Sequence, residues 1–184
     1  MKNLKTRELI LIALFVALTS IGAYITIPFG PVPITLQSLF CLLSALLLGA
    51  KLGALSQILY LLIGLAGLPI FSGGKGGIGF ILYPTFGFVL GFIAAALITG
   101  YISEKLGSSP KSYLLASLCG TLTIYLLGSL GFYLNMNFIV SKSVDLSYVL
   151  KVTILPFIPG DLLKAFSASL VAVPIIKTTK KLQN

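Results

Sequence analysis

Pro84-Thr85-Phe86-Gly87-Phe88-Val89-Leu90-Gly91-Phe92-Ile93-Ala94-Ala95-Ala96-Leu97-Ile98-Thr99-Gly100-Tyr101-Ile102-Ser103 is a run without a single charge, closed by Glu104 and Lys105. At 1.5 Å per residue its twenty positions make a helix of about 30 Å, the thickness of a bilayer's hydrocarbon core. Five more apolar segments read the same way: Leu9 to Ile27, Ile34 to Leu48, Leu52 to Phe71, Tyr113 to Leu134, and Tyr148 to Ile176. Of the 184 residues, 57% are hydrophobic and 9% charged, against about 25% charged in an average soluble domain. So few charges cannot cover the surface of a water-soluble enzyme of this size. The expected architecture is a single all-α integral membrane domain over residues 1–184 with six transmembrane helices. The first segment follows a Lys/Arg cluster, as a signal peptide would. Its apolar run exceeds a typical h-region, and no clear small-residue cleavage site follows, so it reads as a permanent helix. The second is short for a span, which predicts tilt or extension into its flanks.

Basic residues set the orientation. With the amino terminus inside, Lys2, Lys5, Arg7, Lys51, Lys105, Lys111, Lys177, Lys180 and Lys181 face the cytoplasm, and only Lys75, Lys142 and Lys151 face out. This asymmetry predicts that both termini are cytoplasmic. No internal repeat is evident, which weakens the case for an inverted-repeat secondary transporter.

Absences exclude further classes. Histidine and tryptophan are missing, and the acids are Glu8, Glu104, Asp145 and Asp161 alone. That leaves no zinc site of the usual kind and no Ser-His-Asp machinery, so neither a metal nor a cofactor is expected. Cys41 and Cys119 sit singly in apolar stretches and read as buried structural thiols. The net charge of +9 lies between apolar runs, in keeping with membrane orientation and not with nucleic acid.

Four constellations carry chemistry. In Pro159-Gly160-Asp161-Leu162-Leu163-Lys164, Asp161 and Lys164 are three apart and share a helix face. Pro159 and Gly160 predict a helix restarting here, with Asp161 beside its free N–H groups. Asp161 stands sixteen residues, about 24 Å, before Lys177, which puts the pair in the outer half of the bilayer. A self-neutralising pair could merely cap a broken helix, but intramembrane charges are costly and mark cavities or pathways. Next, Ser72-Gly73-Gly74-Lys75-Gly76-Gly77-Ile78-Gly79 lets the backbone approach a ligand and form a nest of N–H groups. Lys75 is followed by Gly76, so this is no Walker A loop and the chain does not itself hydrolyse ATP. A flexible turn has the same composition; the loop's position on the side of Asp161 favours a lid. Third, Pro28, Pro31 and Pro33 force an extended link into Gln37, a polar amide at the top of the second helix. Last, Ala13 and Ala17 form a small-xxx-small step, as do Gly49/Gly53, Gly87/Gly91 and Ala96/Gly100, and spacing alone assigns all of them to internal packing.

Together these motifs resemble a known family: the biotin-specific S components, the BioY family, of energy-coupling-factor vitamin transporters. The likeness rests on Gly30-Pro31-Val32-Pro33-Ile34-Thr35-Leu36-Gln37, on Gly73-Gly74-Lys75-Gly76-Gly77, on Pro84-Thr85, and on Phe157-Ile158-Pro159-Gly160-Asp161-Leu162-Leu163-Lys164-Ala165. It covers nearly the whole chain. Tyr83-Pro84-Thr85-Phe86-Gly87-Phe88 departs from it, being bulkier than the family's usual Gly-Pro-Thr and small residues.

The resemblance implies a non-enzymatic, multi-pass cell-membrane subunit with six helices and a biotin pocket near the outer face, closed by the glycine loop. It implies association with a membrane T subunit and two ATPase subunits, Ala13 and Ala17 meeting the T subunit. Asp161 would accept from ureido N–H groups, and Lys164 would bind a carbonyl or carboxylate oxygen. Gln37, Thr85 and the loop Gly73, Gly74, Lys75, Gly76 and Gly77 would add polar contacts, with Phe71 and Tyr83 packing the middle of the ligand. An S component for another vitamin, a stand-alone secondary transporter and, more weakly, an intramembrane enzyme are the rival readings.

Overall fold

The computed structural model describes residues 4–181, with side chains to Thr178; Lys2, and the side chains of Lys180 and Lys181, lie outside the described residues. α1 (Thr6–Tyr24) leads into a two-residue strand β1 (Thr26–Ile27), paired antiparallel with β2 (Ile34–Thr35) in the register Thr26↔Thr35 and Ile27↔Ile34. The prolines of this link thus yield an extended hairpin, which takes Thr26–Ile27 and Ile34–Thr35 out of the helices that the apolar pattern extends over them. Next come α2 (Gln37–Leu65), a 3-10 turn (Ile78–Leu82), α3 (Phe86–Leu106), α4 (Pro110–Leu134) with a π turn (Asn135–Ile139), α5 (Leu146–Thr153) and α6 (Ile158–Lys181).

Among the described residues five helices, against the six expected, are long and apolar enough to cross a membrane by length and composition. The difference lies in α2, which joins the second and third apolar segments through Gly49, whose φ of 82° and ψ of 178° are not helical. The chain folds back there. Gln57 Nε2 donates to Ser44 Oγ at 3.3 Å, and Gln37 Nε2 to Tyr60 Oη at 2.6 Å, contacts a straight helix would hold about 20 and 34 Å apart. Arms 37–48 and 50–65 are therefore antiparallel. Glu104 Oε1 accepts from the Ala50 N–H at 2.9 Å, placing a carboxylate on the amino terminus of the second arm, where the helix dipole favours it. The last apolar segment is likewise divided: α5 starts at an Asp145 cap, whose carboxylate accepts from the Tyr148 N–H at 2.7 Å, and α6 restarts at Ile158 with Pro159 in its first turn.

Close approach of backbones holds the bundle together. A Cβ at Gly87 would stand 2.7 Å from the Gly131 Cα, and one at Gly53 would stand 2.8 Å from the Ala45 Cα, so α3 meets α4, and the two arms of α2 meet each other, through small residues. The core runs through Cys41, Phe92, Ala95, Ala96 and Ile124 of α2, α3 and α4, and continues through Phe15, Leu42, Tyr113, Ala165 and Ala168. Cys41 is fully buried; Cys119 is only half-buried, since its turn of α4 faces partly outward. The end of the bundle holding Gly49 and Glu104 gathers Lys51, Lys105 and Lys111. The opposite end holds the β hairpin, the glycine loop and the start of α6.

Candidate functional site

The first arm of α2 begins at Gln37, and α6 begins beside it, so two helix starts bring Gln37, Ser38, Asp161 and Lys164 to one wall. Lys164 Nζ lies 2.7 Å from Asp161 Oδ1. Ser38 Oγ donates to the same oxygen at 3.2 Å and accepts from Lys164 Nζ at 3.2 Å, while the Tyr125 hydroxyl donates to Asp161 Oδ2 at 2.8 Å. Asp161 is 6% exposed and Lys164 8%, and burial on this scale is tolerable because each charge is paired and hydrogen-bonded. Counting valences leaves capacity over: one lone pair on Asp161 Oδ2 and one N–H on Lys164 Nζ. A neutral group presenting a donor next to an acceptor fits that remainder.

These residues line a cavity of about 60 Å³ together with Val32, Thr35, Ser72, Thr85, Phe88, Phe92 and Phe157. Of the residues singled out from sequence, Asp161, Lys164, Gln37 and Thr85 meet in this wall. Gln37 is held on both sides, its Oε1 accepting from the Thr35 hydroxyl at 3.0 Å and its Nε2 donating to Tyr60 Oη, which donates on to the Ile70 carbonyl at 2.9 Å. That relay ties the wall to the root of the glycine loop.

The loop itself closes as a tight hairpin. The Phe71 N–H donates to the Lys75 carbonyl at 2.9 Å, and Gly73 and Gly74 turn the tip with φ of 76° and 70°, a conformation open to glycine. Gly76 and Gly77 run back over the end of α2, where the Gly77 N–H donates to the Gly64 carbonyl at 2.8 Å. Among these loop residues only Ser72 reaches the cavity wall, and its buried Oγ has no hydrogen-bond partner. Phe71 and Tyr83 stand outside the wall in an aromatic column: Phe71 meets Tyr60 edge-on at 5.5 Å and stacks on Phe80 at 4.0 Å, and Phe80 stacks on Tyr83 at 5.7 Å. Lys75 Nζ sits 4.1 Å above the Tyr83 ring. The Tyr24 hydroxyl, donating to the Pro69 carbonyl, fastens the end of α1 to the same region.

Tyr125 and Ser38 lie outside every motif of the sequence, and Ser72 opens the glycine loop with no role assigned to it. A tyrosine in an apolar helix needs a partner for its hydroxyl, and Asp161 was the acid on offer; no comparable signal marks the two serines. Ala13 and Ala17 are exposed on α1. The other small-residue steps are consumed inside the bundle, with Gly53 against Ala45, Gly87 against Gly131 and Gly100 against Ala50.

The model of the BioY family matches residues 1–181. The biotin transporter BioY of Thermotoga maritima is 40% identical over 173 residues, covering 93% of this chain and 96% of its own length. That of Rhodobacter capsulatus is 41% identical over 173 residues, covering 90% and 91%. Among solved structures, the S-component for biotin from an ECF-type ABC transporter superposes with a TM-score of 0.83 at 27% identity, covering 95% of both chains.

Proposed function

Since the chain belongs to the BioY family, we propose that it is the substrate-binding subunit for biotin uptake, a multi-pass membrane protein and not an enzyme. One observation carries the reading of the site: the buried Asp161–Lys164 pair, braced by Ser38 and Tyr125, in the wall of a cavity. The pair is neutral as a unit. A ligand carboxylate there would set two buried carboxylates against one ammonium, whereas a ureido group matches it, N–H to Asp161 and C=O to Lys164. The ureido ring therefore takes the Asp161 end. Phe88, Phe92 and Phe157 pack the apolar body, and Gln37, Thr85 and the unpartnered Ser72 hydroxyl supply the remaining polar contacts.

The hairpin of Gly73, Gly74, Lys75, Gly76 and Gly77, latched through Phe71 and Tyr83, is the part built as a lid over the site. With the arms of α2 counted separately, the chain crosses the bilayer six times. The end rich in lysine and arginine faces the cytoplasm with both termini, and the site faces out. Ala13 and Ala17, exposed while the other small steps are spent internally, meet the membrane T subunit, through which two ATPase subunits drive release.

Calorimetric titration of the purified chain tests the substrate: biotin binds, while other vitamins do not. Binding of a different vitamin in its place overturns the assignment. Uptake in cells that depends on co-expressed ATPase subunits separates this reading from a stand-alone secondary transporter.

A further inference from the structure

A second, larger recess lies at the other end of the molecule. α1 and α6 both rest on α2 and scarcely touch each other, so a groove floored by α2 opens between them. Its volume is about 670 Å³. One face of α1 (Leu11, Leu14, Phe15 and Leu18), the hinge region of α2 and Val171, Ile175 and Ile176 of α6 make its apolar walls. Charge is confined to one end, at Lys5, Arg7 and Glu8.

Glu8 is already engaged, its Oε2 accepting from the Lys5 N–H at 2.8 Å. Among the described residues the Asp161–Lys164 pair is the only salt bridge, so Lys5 and Arg7 present their charge outward. From Lys5 to Leu18 the groove follows about 20 Å of helix, slightly more than the roughly 15 Å of one leaflet's hydrocarbon. Two cations at the rim and an apolar channel one leaflet deep are the complement of a single anionic amphiphile. Ala13 and Ala17 are not among its walls.

We propose that this groove is a binding site for one phospholipid with an anionic headgroup. Its phosphate is held by Lys5 and Arg7, where guanidinium and phosphate pair well, and an acyl chain lies along Leu11, Leu14 and Leu18. The proposal is independent of what the outer cavity binds. It gives the molecule a lipid preference set by charge, beyond the generic solvation of an apolar surface.

Native mass spectrometry of the full chain tests this after equilibration with equimolar phosphatidylglycerol and phosphatidylcholine of identical acyl chains. One phosphatidylglycerol should be retained, about tenfold over phosphatidylcholine. The double variant Lys5→Gln, Arg7→Gln should hold the two lipids equally while melting at the wild-type temperature. Val171→Trp, which fills the groove from the exposed face of α6, should lose both. Equal retention of the two lipids by the wild type, an unchanged preference in the double variant, or full retention by a folded Val171→Trp protein overturns the proposal. So does photo-cross-linking from Leu14 in membranes that recovers a protein helix and no lipid.

Discussion

Asp161 has four potential hydrogen-bond sites, and three are filled by Lys164, Ser38 and Tyr125. Its chemistry is therefore that of a single open acceptor beside a single open donor. Truncating either charge leaves the other buried and unpaired. Asp161→Asn and Lys164→Ala should each weaken biotin binding by about 2–5 kcal/mol, at least about thirtyfold, as read by titration. The double variant should be more stable to heat than either single one, because no charge is stranded. Ser72→Ala is the milder case. Removing an unpartnered buried hydroxyl should raise the melting temperature of the free protein and weaken binding by about 0.5–1.5 kcal/mol. The charged pair was legible because an acid and a lysine at helical spacing stand out in an apolar chain. The serines were not, since a hydroxyl is unremarkable in such helices until the fold shows which wall it faces.

Helices were the most legible elements, as most residues facing lipid or core are apolar and backbone groups are paired within their own segment. Their breaks were harder to read. The restart at Pro159 could be inferred from a residue that lacks an N–H. The separate helix Leu146–Thr153 could not, because its apolar composition runs on into that of α6. Gly49 is the sharper case: the apolar pattern already breaks between Leu48 and Leu52, but which of nineteen glycines makes the reversal shows only in its φ of 82° and the contacts across it. Gly49→Val should destabilise the protein by about 1–3 kcal/mol, seen as a lower melting temperature. A β-branched side chain resists a φ of +82°, and its Cβ would meet the Glu104 carboxylate.

For the whole molecule, the two ends differ in charge. If the basic end is cytoplasmic, cysteines introduced at Arg7 and Lys177 should be shielded from an impermeant thiol reagent in intact cells, and one at Lys142 should react. Labelling of the first two in sealed cells would invert the assigned topology. Ala13→Trp should abolish co-purification with the T subunit and uptake, leaving biotin affinity near wild type, because Ala13 touches neither the cavity nor the core. A variant that transports normally would remove the docking role. The Gly49 hinge also bears on how the chain is made. Its arms are about 18 and 24 Å long, each shorter than the roughly 30 Å of hydrocarbon, so each can cross only with its flanking residues or where the bilayer thins around it. The nascent segment ending at Leu48 is then a weaker span by itself than when paired with residues 50–65. Insertion of the two arms as a pair is favoured for the same reason, since the close approach of Gly53 to Ala45 forms only once both are made.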